Sequence, residues 1–449
     1  MNRKDTVETM IDHKTPTRKR QVDPLKKAVV AAAAGNALEW FDFSSYAFFA
    51  AYISANFFMQ GDNTSGLVST FLVFAVGFIA RPLGAAVLGS YGDTHGRKAT
   101  LTLTVALMAV GTFIIGFAPP IWAIGIGAPI LLLVGRLFQG FSAGGEIGGA
   151  TAYLVEKAPL NRRAGLTGWL QGSMGIANAM SALIGVTITG LFSEEEITAW
   201  AWRIPFVVGL AIIPVAIYIR RKLDETEEFL QLKEETAGTK QRSPIRDLFR
   251  QYPRHMVIGA LVAILWQVSV YALVIYAPTF YASEQAGFGF SPNDAFLASL
   301  IGNLFMIFAC VYAGRLADRF GTRQMLLVST WILIVTPLPM LLLLHLSPTL
   351  PMLIFVHIVM CLAVSSFAGV VPSALARIFP AAVRSTGTSF SYNIAAIFFA
   401  GFTPALMTWA IQYTSYATGL YVVLAGVVAL LTLPAFMKLI REQEGDVLL

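Results

Sequence analysis

The sequence predicts an all-α membrane protein: twelve transmembrane helices in two pseudo-symmetric six-helix bundles. Three observations lead there. Charge is too scarce for a soluble surface, twelve apolar stretches are each long enough to cross a bilayer, and one short motif recurs at the matching place in the second half of the chain.

The first observation is compositional. Of 449 residues, 56% are apolar and 13% charged, against about 25% charged in soluble domains. Mean hydropathy is +0.66. Lipid is therefore the solvent for much of the chain. The net charge of +6 sits in short segments between apolar runs, not on a basic domain, so a nucleic-acid partner is not expected. Cys310 and Cys361 both lie in apolar stretches, which leaves no disulfide framework and no metal spacing. The first 27 residues are polar and basic, without the apolar core of a signal peptide.

The second observation is the span count. A span takes about 20 mostly apolar residues. Twelve fit: 28–56, 66–90, 99–118, 126–156, 164–191, 203–221, 255–282, 293–314, 324–345, 350–375, 384–411 and 416–438. The fourth and fifth are rich in glycine, which lets helix backbones approach closely. Gly144, Gly145, Gly148 and Gly149 form one such expected packing face. With both termini inside, 29 of the 32 Lys and Arg fall in inner segments, as the positive-inside rule requires. The exceptions are Arg81 and Arg136 within spans and Arg203 at an outer edge. The outer loops carry Asp62, Glu194, Glu195, Glu196 and Glu284 instead. The expected organisation is a cytoplasmic tail (1–27), a first bundle (28–221), a cytoplasmic linker (222–254), a second bundle (255–438) and a cytoplasmic tail (439–449). Within the linker, Leu223 to Leu232 reads either as an amphipathic piece on the inner membrane surface or as solvated chain.

The third observation is the repeat. Gly89-Ser-Tyr-Gly-Asp93-Thr-His-Gly96-Arg97-Lys98 follows the second span, and Gly314-Arg-Leu-Ala-Asp318-Arg-Phe-Gly321-Thr-Arg323 follows the eighth. Each reads G-x-x-x-D-x-x-G-x-[RK]. Glycine permits a tight turn, and the Asp can hold an Arg or a helix N-terminus across the loop. Gly89, Asp93, Gly96, Arg97, Gly314, Asp318, Gly321 and Arg323 are the candidates for a cytoplasmic gate between the halves.

The duplicated loop resembles the signature of the major facilitator superfamily, and Arg136-Leu-Phe-Gln139-Gly140-Phe-Ser-Ala-Gly144-Gly145 resembles its fourth-helix motif. Gly35-Asn36-Ala-Leu-Glu39-Trp40-Phe41-Asp42-Phe43, Trp202-Arg203-Ile204-Pro205-Phe206 and Leu223-Asp-Glu225-Thr226-Glu-Glu-Phe229 resemble the metabolite:proton symporter family. That family includes citrate, α-ketoglutarate, shikimate, phthalate and proline/betaine importers. The resemblance spans nearly the whole chain. It implies a monomeric inner-membrane symporter whose bundles rock around a central site, with protons as coupling ion and no cofactor. Thr322 departs from the pattern, where the family often has Arg, which implies a weaker gate contact in that half.

Ionisable residues at membrane depth default to function. They crowd the first half: Glu39 and Asp42, Arg81, Arg136 and Glu146. The interiors of the later spans hold only His357. Glu39 and Asp42 are three residues apart, about 18–22 Å along the first span, and Arg81 is about 15 Å along the second. The three are therefore expected to meet. Two carboxylates beside one Arg do not both keep their charge comfortably, which makes a proton carrier. Asp42 is the expected carrier with Arg81 as its partner, and Glu39 is the alternative. A permanent structural ion pair is the competing reading. Arg136 is expected to couple to a carboxylate or attract an anion. Glu146 is expected to pair with Arg97 or Arg162, and His357 to be a hydrogen-bonded core residue.

The expected substrate lining is polar: Asn36 and Tyr46, Gln139, Gln171 and Asn178, Gln267, Tyr271 and Tyr276, and Tyr392 and Asn393. Interhelical hydrogen bonding is the competing role for each. Arg81 and Arg136 favour an organic acid, a mono-, di- or tricarboxylate or an aromatic acid such as a phthalate. The short segment after the last span, without the long charged tail of some osmolyte-responsive members, is expected to point the same way. A proline or betaine symporter is the alternative, and an exporter on the same fold a further one. An enzyme is not expected, since no nucleophile–base set or ligand cluster can be placed. A channel would leave the duplicated gate loop without a purpose.

Overall fold

The computed structural model describes residues 24–58, 63–95, 97–144, 146–221, 244–380 and 383–444. All regular structure in them is helical. Twelve helical runs among these residues coincide with the expected spans. They are α1 (Pro24–Phe48, resuming as Ala50–Phe57), α2 (Asn63–His95), α3 (Arg97–Phe117), α4 (Gly127–Ala143, resuming as Glu146–Lys157), α5 (Arg163–Leu191) and α6 (Ile204–Arg221). The second set is α7 (Pro253–Val270, a π turn Tyr271–Ile275, then Ala277–Tyr281), α8 (Pro292–Phe320), α9 (Thr322–Val335, then Pro337–Leu346) and α10 (Leu350–Ala368, then Val371–Arg377). It closes with α11 (Arg384–Ala396, a π turn Ile397–Gly401, then Thr403–Ala410) and α12 (Ala417–Glu444). Among the described residues, nine helices are long and apolar enough to cross a membrane, and residues 102–117 and 201–214 form two shorter apolar ones.

Helix ends follow local chemistry. Ser291 opens α8 as an N-cap, its hydroxyl accepting from the Asp294 amide while Asp294 accepts from the Ser291 amide. Gly321 separates α8 from α9 at φ 97°, a left-handed conformation that favours glycine. The breaks inside the spans repeat the internal symmetry. The register that places Gly89 on Gly314 also places the Gly144 interruption of α4 on the Gly369 interruption of α10. It carries the break at Phe49 in α1 into the π turn of α7.

α2, α3 and α5 pack with α4, α4 and α1 in the first half, and α8 with α10 and α12 with α7 and α9 in the second. The halves meet along α5 on α8 and along α2 and α4 on α11. Glycine decides how closely. A Cβ on Gly140 would collide with the Gly77 backbone, and one on Gly168 would lie 2.8 Å from the Cys310 carbonyl oxygen. Of the expected glycine face, Gly144 packs on the Arg81 carbonyl and Gly148 on Ser389 of α11, whereas Gly149 is loosely packed. Gly145 lies outside the described residues.

The surface is that of a lipid-facing protein. Phe308, Leu83 and Leu431 are among many large apolar side chains left exposed. Trp122, Trp200, Trp409 and Tyr413 are exposed at the face opposite Asp318, as in an interfacial aromatic belt. Leu223 to Leu232 lies outside the described residues. The amphipathic segment that is described is Pro244–Gln251, whose Leu248 is buried and whose Phe249 packs on Phe390 of α11 at 5.4 Å.

Replacing Gly140 by Val should lower stability by about 1–3 kcal/mol through overpacking against Gly77. Thermal unfolding in detergent reads this, and an unchanged midpoint would show that α2 and α4 are not in tight contact there.

Candidate functional site

Two polar clusters sit at the centre of the helices, and both touch Phe43. The first lies between the bundles. Arg81 of α2 forms an ion pair with Glu39 of α1, Nη2 to Oε1 at 3.3 Å, and both side chains are 2% exposed. Its guanidinium stacks on Phe43 and Phe78 at 4.6 and 4.3 Å. Trp40 of α1 meets Tyr271 of α7 at 5.9 Å, and Phe78 meets Tyr271 edge-on at 5.5 Å. Tyr392 of α11 packs on Trp266 and lies beside Arg81 and Gln267. Trp40 Nε1, Arg81 Nε, Gln267 Nε2 and the Tyr271 hydroxyl are buried here without a hydrogen-bond partner. Such orphaned donors each cost about 1–3 kcal/mol, and they cluster on both sides of the seam.

The second cluster is inside the first bundle. Thr112 of α3 donates to Asp42 Oδ2 at 2.5 Å, Gln139 Nε2 donates to the Thr112 hydroxyl at 3.0 Å, and Arg136 Nη1 donates to Gln139 Oε1 at 2.7 Å. Arg136 stacks on Tyr46, Phe74 and Phe43 at 3.9, 4.5 and 4.9 Å. Its Nε and Nη2 are buried without a partner. Phe43 therefore makes a cation–π contact with both buried guanidinium groups.

The expected pairing of Arg81 with Asp42 is corrected: Arg81 holds Glu39. Three residues advance a helix by about 300°, so Glu39 and Asp42 diverge by about 60°. That offset aims Glu39 at α2 and the second bundle, and Asp42 at α3 and α6, where Gly209 covers its Oδ1.

The expected substrate lining also divides. Tyr46, Gln139, Gln267, Tyr271 and Tyr392 face the two clusters. Asn36 instead donates to the Leu170 carbonyl and the Ser173 hydroxyl. Asn178 accepts from Ser44 and donates to Asn303 of α8 at 3.0 Å. Asn393 donates to the Gly144 carbonyl at 3.0 Å, across the halves. These three are packing contacts. Gln171 is buried with Oε1 unpartnered. Tyr276 packs on Phe71 and Phe280, toward the mouth of the seam. His357 is held between the Tyr281 hydroxyl at 3.2 Å and Cys361 Sγ at 3.5 Å, a core residue. Arg203 ties the Ala118 and Ala199 carbonyls.

At one face the halves are latched. Asp318 accepts from the Ala164 amide (2.9 Å) and the Gly165 amide (2.7 Å), so the carboxylate caps the N-terminus of α5. Gly314 makes this possible, because any Cβ there would collide with Ala164. Arg377 at the end of α10 donates to Thr322 at 2.8 Å, giving the unusual Thr a partner. Arg384 pairs with Glu156 at 3.1 Å across α11 and α4. The side chains of Gly89, Asp93, Arg97 and Glu146, and Gly96 altogether, lie outside the described residues, and so does the first copy of the latch. No contact of Arg323 is described. At the opposite face a cavity of about 360 Å³ opens between the halves, lined by Tyr52, Glu194, Thr279, Gln285 and Phe296 among others.

The Major Facilitator Superfamily family profile matches residues 32–346 and 285–447. The chain belongs to the major facilitator superfamily. It is a multi-pass inner-membrane transporter and not an enzyme. A citrate-proton symporter of Klebsiella pneumoniae is 36% identical over 387 residues, covering 86% of each chain. A putative proline/betaine transporter of Staphylococcus aureus (strain COL) is 34% identical over 393 residues, covering 87% of this chain and 83% of that one. A crystal structure of D-xylose-proton symporter superposes with a TM-score of 0.72 at 17% identity, over 95% of this chain and 100% of that one. That last likeness shows the fold alone.

Sequence reasoning passed over Trp40, Thr112, Gly209 and Arg377. Nothing in the chain singles out a threonine in an apolar helix, and Arg377 looks like an ordinary inner-loop cation until α10 carries it to Thr322.

Breaking the Glu39–Arg81 pair from one side leaves a buried charge, at about 3–5 kcal/mol. Glu39→Gln should therefore lower the thermal midpoint further than the double variant Glu39→Gln/Arg81→Gln. Equal losses would mean the pair is not buried as described.

Proposed function

We propose that this chain is a proton-coupled symporter that imports a small organic acid, a di- or tricarboxylate or an aromatic acid, by alternating access. The observation that carries this is the set of orphaned donors at the seam. Trp40, Arg81, Gln267 and Tyr271 present N–H and O–H groups with Glu39 as the one nearby carboxylate. A ligand rich in acceptors completes them, and a carboxylate does so with charge-assisted bonds. The names of the relatives above support proton coupling and leave both an acid and a zwitterion open.

Both termini lie in the cytoplasm, as the segregation of Lys and Arg requires. The Asp318 latch is then the closed inner gate, and the cavity beside Glu194 is the outer vestibule. Asp42 is the proton carrier, communicating with Arg136 through Thr112 and Gln139. Substrate engages Arg81 from the seam and competes with Glu39 for it, which ties binding to the contact between halves. The inner gate opens when both ligands are in place. The coupling ion is the proton, no cofactor takes part, and one chain suffices.

A zwitterionic osmolyte is the second reading, favoured by the rings of Trp40 and Tyr271 beside Glu39, which suit a quaternary amine.

Two measurements test the proposal. In proteoliposomes under an inward proton gradient, Asp42→Asn should abolish uphill uptake and keep exchange of labelled for unlabelled substrate; surviving uphill uptake removes Asp42 as carrier. In a thermal-shift screen, citrate or phthalate should raise the midpoint. Stabilisation only by proline or betaine would assign the protein to the osmolyte branch.

A further inference from the structure

The relay that ends at Asp42 has a direction that chemistry imposes. A guanidinium only donates, so the Gln139 atom facing Arg136 is its carbonyl oxygen, and its amide group must face Thr112. The Thr112 oxygen therefore always spends one lone pair on Gln139. What remains is one lone pair and one proton. That proton has two acceptors within reach, Asp42 Oδ2 at 2.5 Å and the Met108 carbonyl at 3.0 Å, one turn back in α3.

We propose that Thr112 is a positioning residue that lets Asp42 exchange its proton in a dry site, by serving both protonation states with one rotatable hydroxyl. When Asp42 is ionised, Thr112 donates to Oδ2. When Asp42 is protonated, the carboxyl O–H donates to the second lone pair of Thr112, and the Thr112 proton turns to the Met108 carbonyl. Every group has a partner in either state. The carried proton comes from bulk water and returns to it; Thr112 keeps its own proton and only rotates it. Arg136 and Gln139 hold the rotor in register. The inference rests on the reading of Asp42 as carrier.

The surroundings leave Thr112 in this position alone. The charged group that acts on Asp42 is Arg136 on α4, which also stacks on Tyr46 of α1; Glu39 on its own helix and Arg81 on α2 pair with each other in the other cluster, beside Tyr271 of α7. α3 contributes Thr112, and α6 contributes Gly209, which does not titrate. Among the described residues, no other side chain donates a hydrogen bond to Asp42.

The experiment needs no substrate. Infrared difference spectra of the purified protein, titrated with pH, should show a protonated-carboxyl band that disappears in Asp42→Asn. In Thr112→Val the ionised form loses its donor, so the midpoint of that band should move to higher pH by about one unit, a tenfold change in proton affinity. Thr112→Ser keeps the hydroxyl and should restore the midpoint to within about a third of a unit of the parent. Thr112→Ala takes the place of the valine variant if the latter does not fold. A wild-type midpoint in the valine or alanine variant overturns the inference, as does a serine variant displaced as far as valine, which would make side-chain shape the cause. A band untouched by Asp42→Asn overturns the reading of Asp42 itself, an outcome separate from the other two.

Discussion

Burying two guanidinium groups in lipid is the constraint around which this protein is arranged. Arg81 and Arg136 cannot shed their charge, and hydrocarbon offers them no partner. The structure supplies one by stacking both on Phe43 and giving each a different polar neighbour: a carboxylate for Arg81, an amide oxygen for Arg136. Phe43 touches both a cluster at the seam and a cluster inside the first bundle. The Glu39 and Asp42 carboxylates therefore belong to different polar clusters.

The rest of the architecture serves that centre. Four of the helices that deliver polar groups to it are interrupted: α1 at Phe49, α7 and α11 by π turns, α4 at Gly144. α5 and α8, which meet on the seam, are unbroken. The α5 glycines let α8 pass at backbone distance, and Asn178 joins α1, α5 and α8 in one hydrogen-bonded line. The Asp318 latch is made from backbone amides, not from a side-chain cation.

The symmetry between halves is structural before it is chemical. The register set by the duplicated gate loop maps helix breaks onto each other, and it maps Asp42 onto Gln267 and Tyr46 onto Tyr271. The carboxylate of one half is an uncharged amide in the other. One half keeps the ionisable machinery, and the other presents neutral donors to the seam.

Much of this was legible in the chain itself. Twelve apolar runs, the Lys and Arg bias and the duplicated loop determined the fold, because lipid leaves helices as the way to satisfy a backbone and the repeat names the two halves. The list of buried ionisable residues was equally plain, since a charge in an apolar run stands out in one dimension. Their partners were not. Whether Arg81 meets Glu39 or Asp42 depends on a modest difference in direction about α1 and on which helix stands there. Thr112 and Gly209 carry no signal until α3 and α6 are packed against Asp42. Asn36, Asn178 and Asn393 look like substrate ligands in sequence and turn out to bond neighbouring helices. Composition fixes which groups must be paired. Only the packing of helices, set in part by glycine contacts, decides with what.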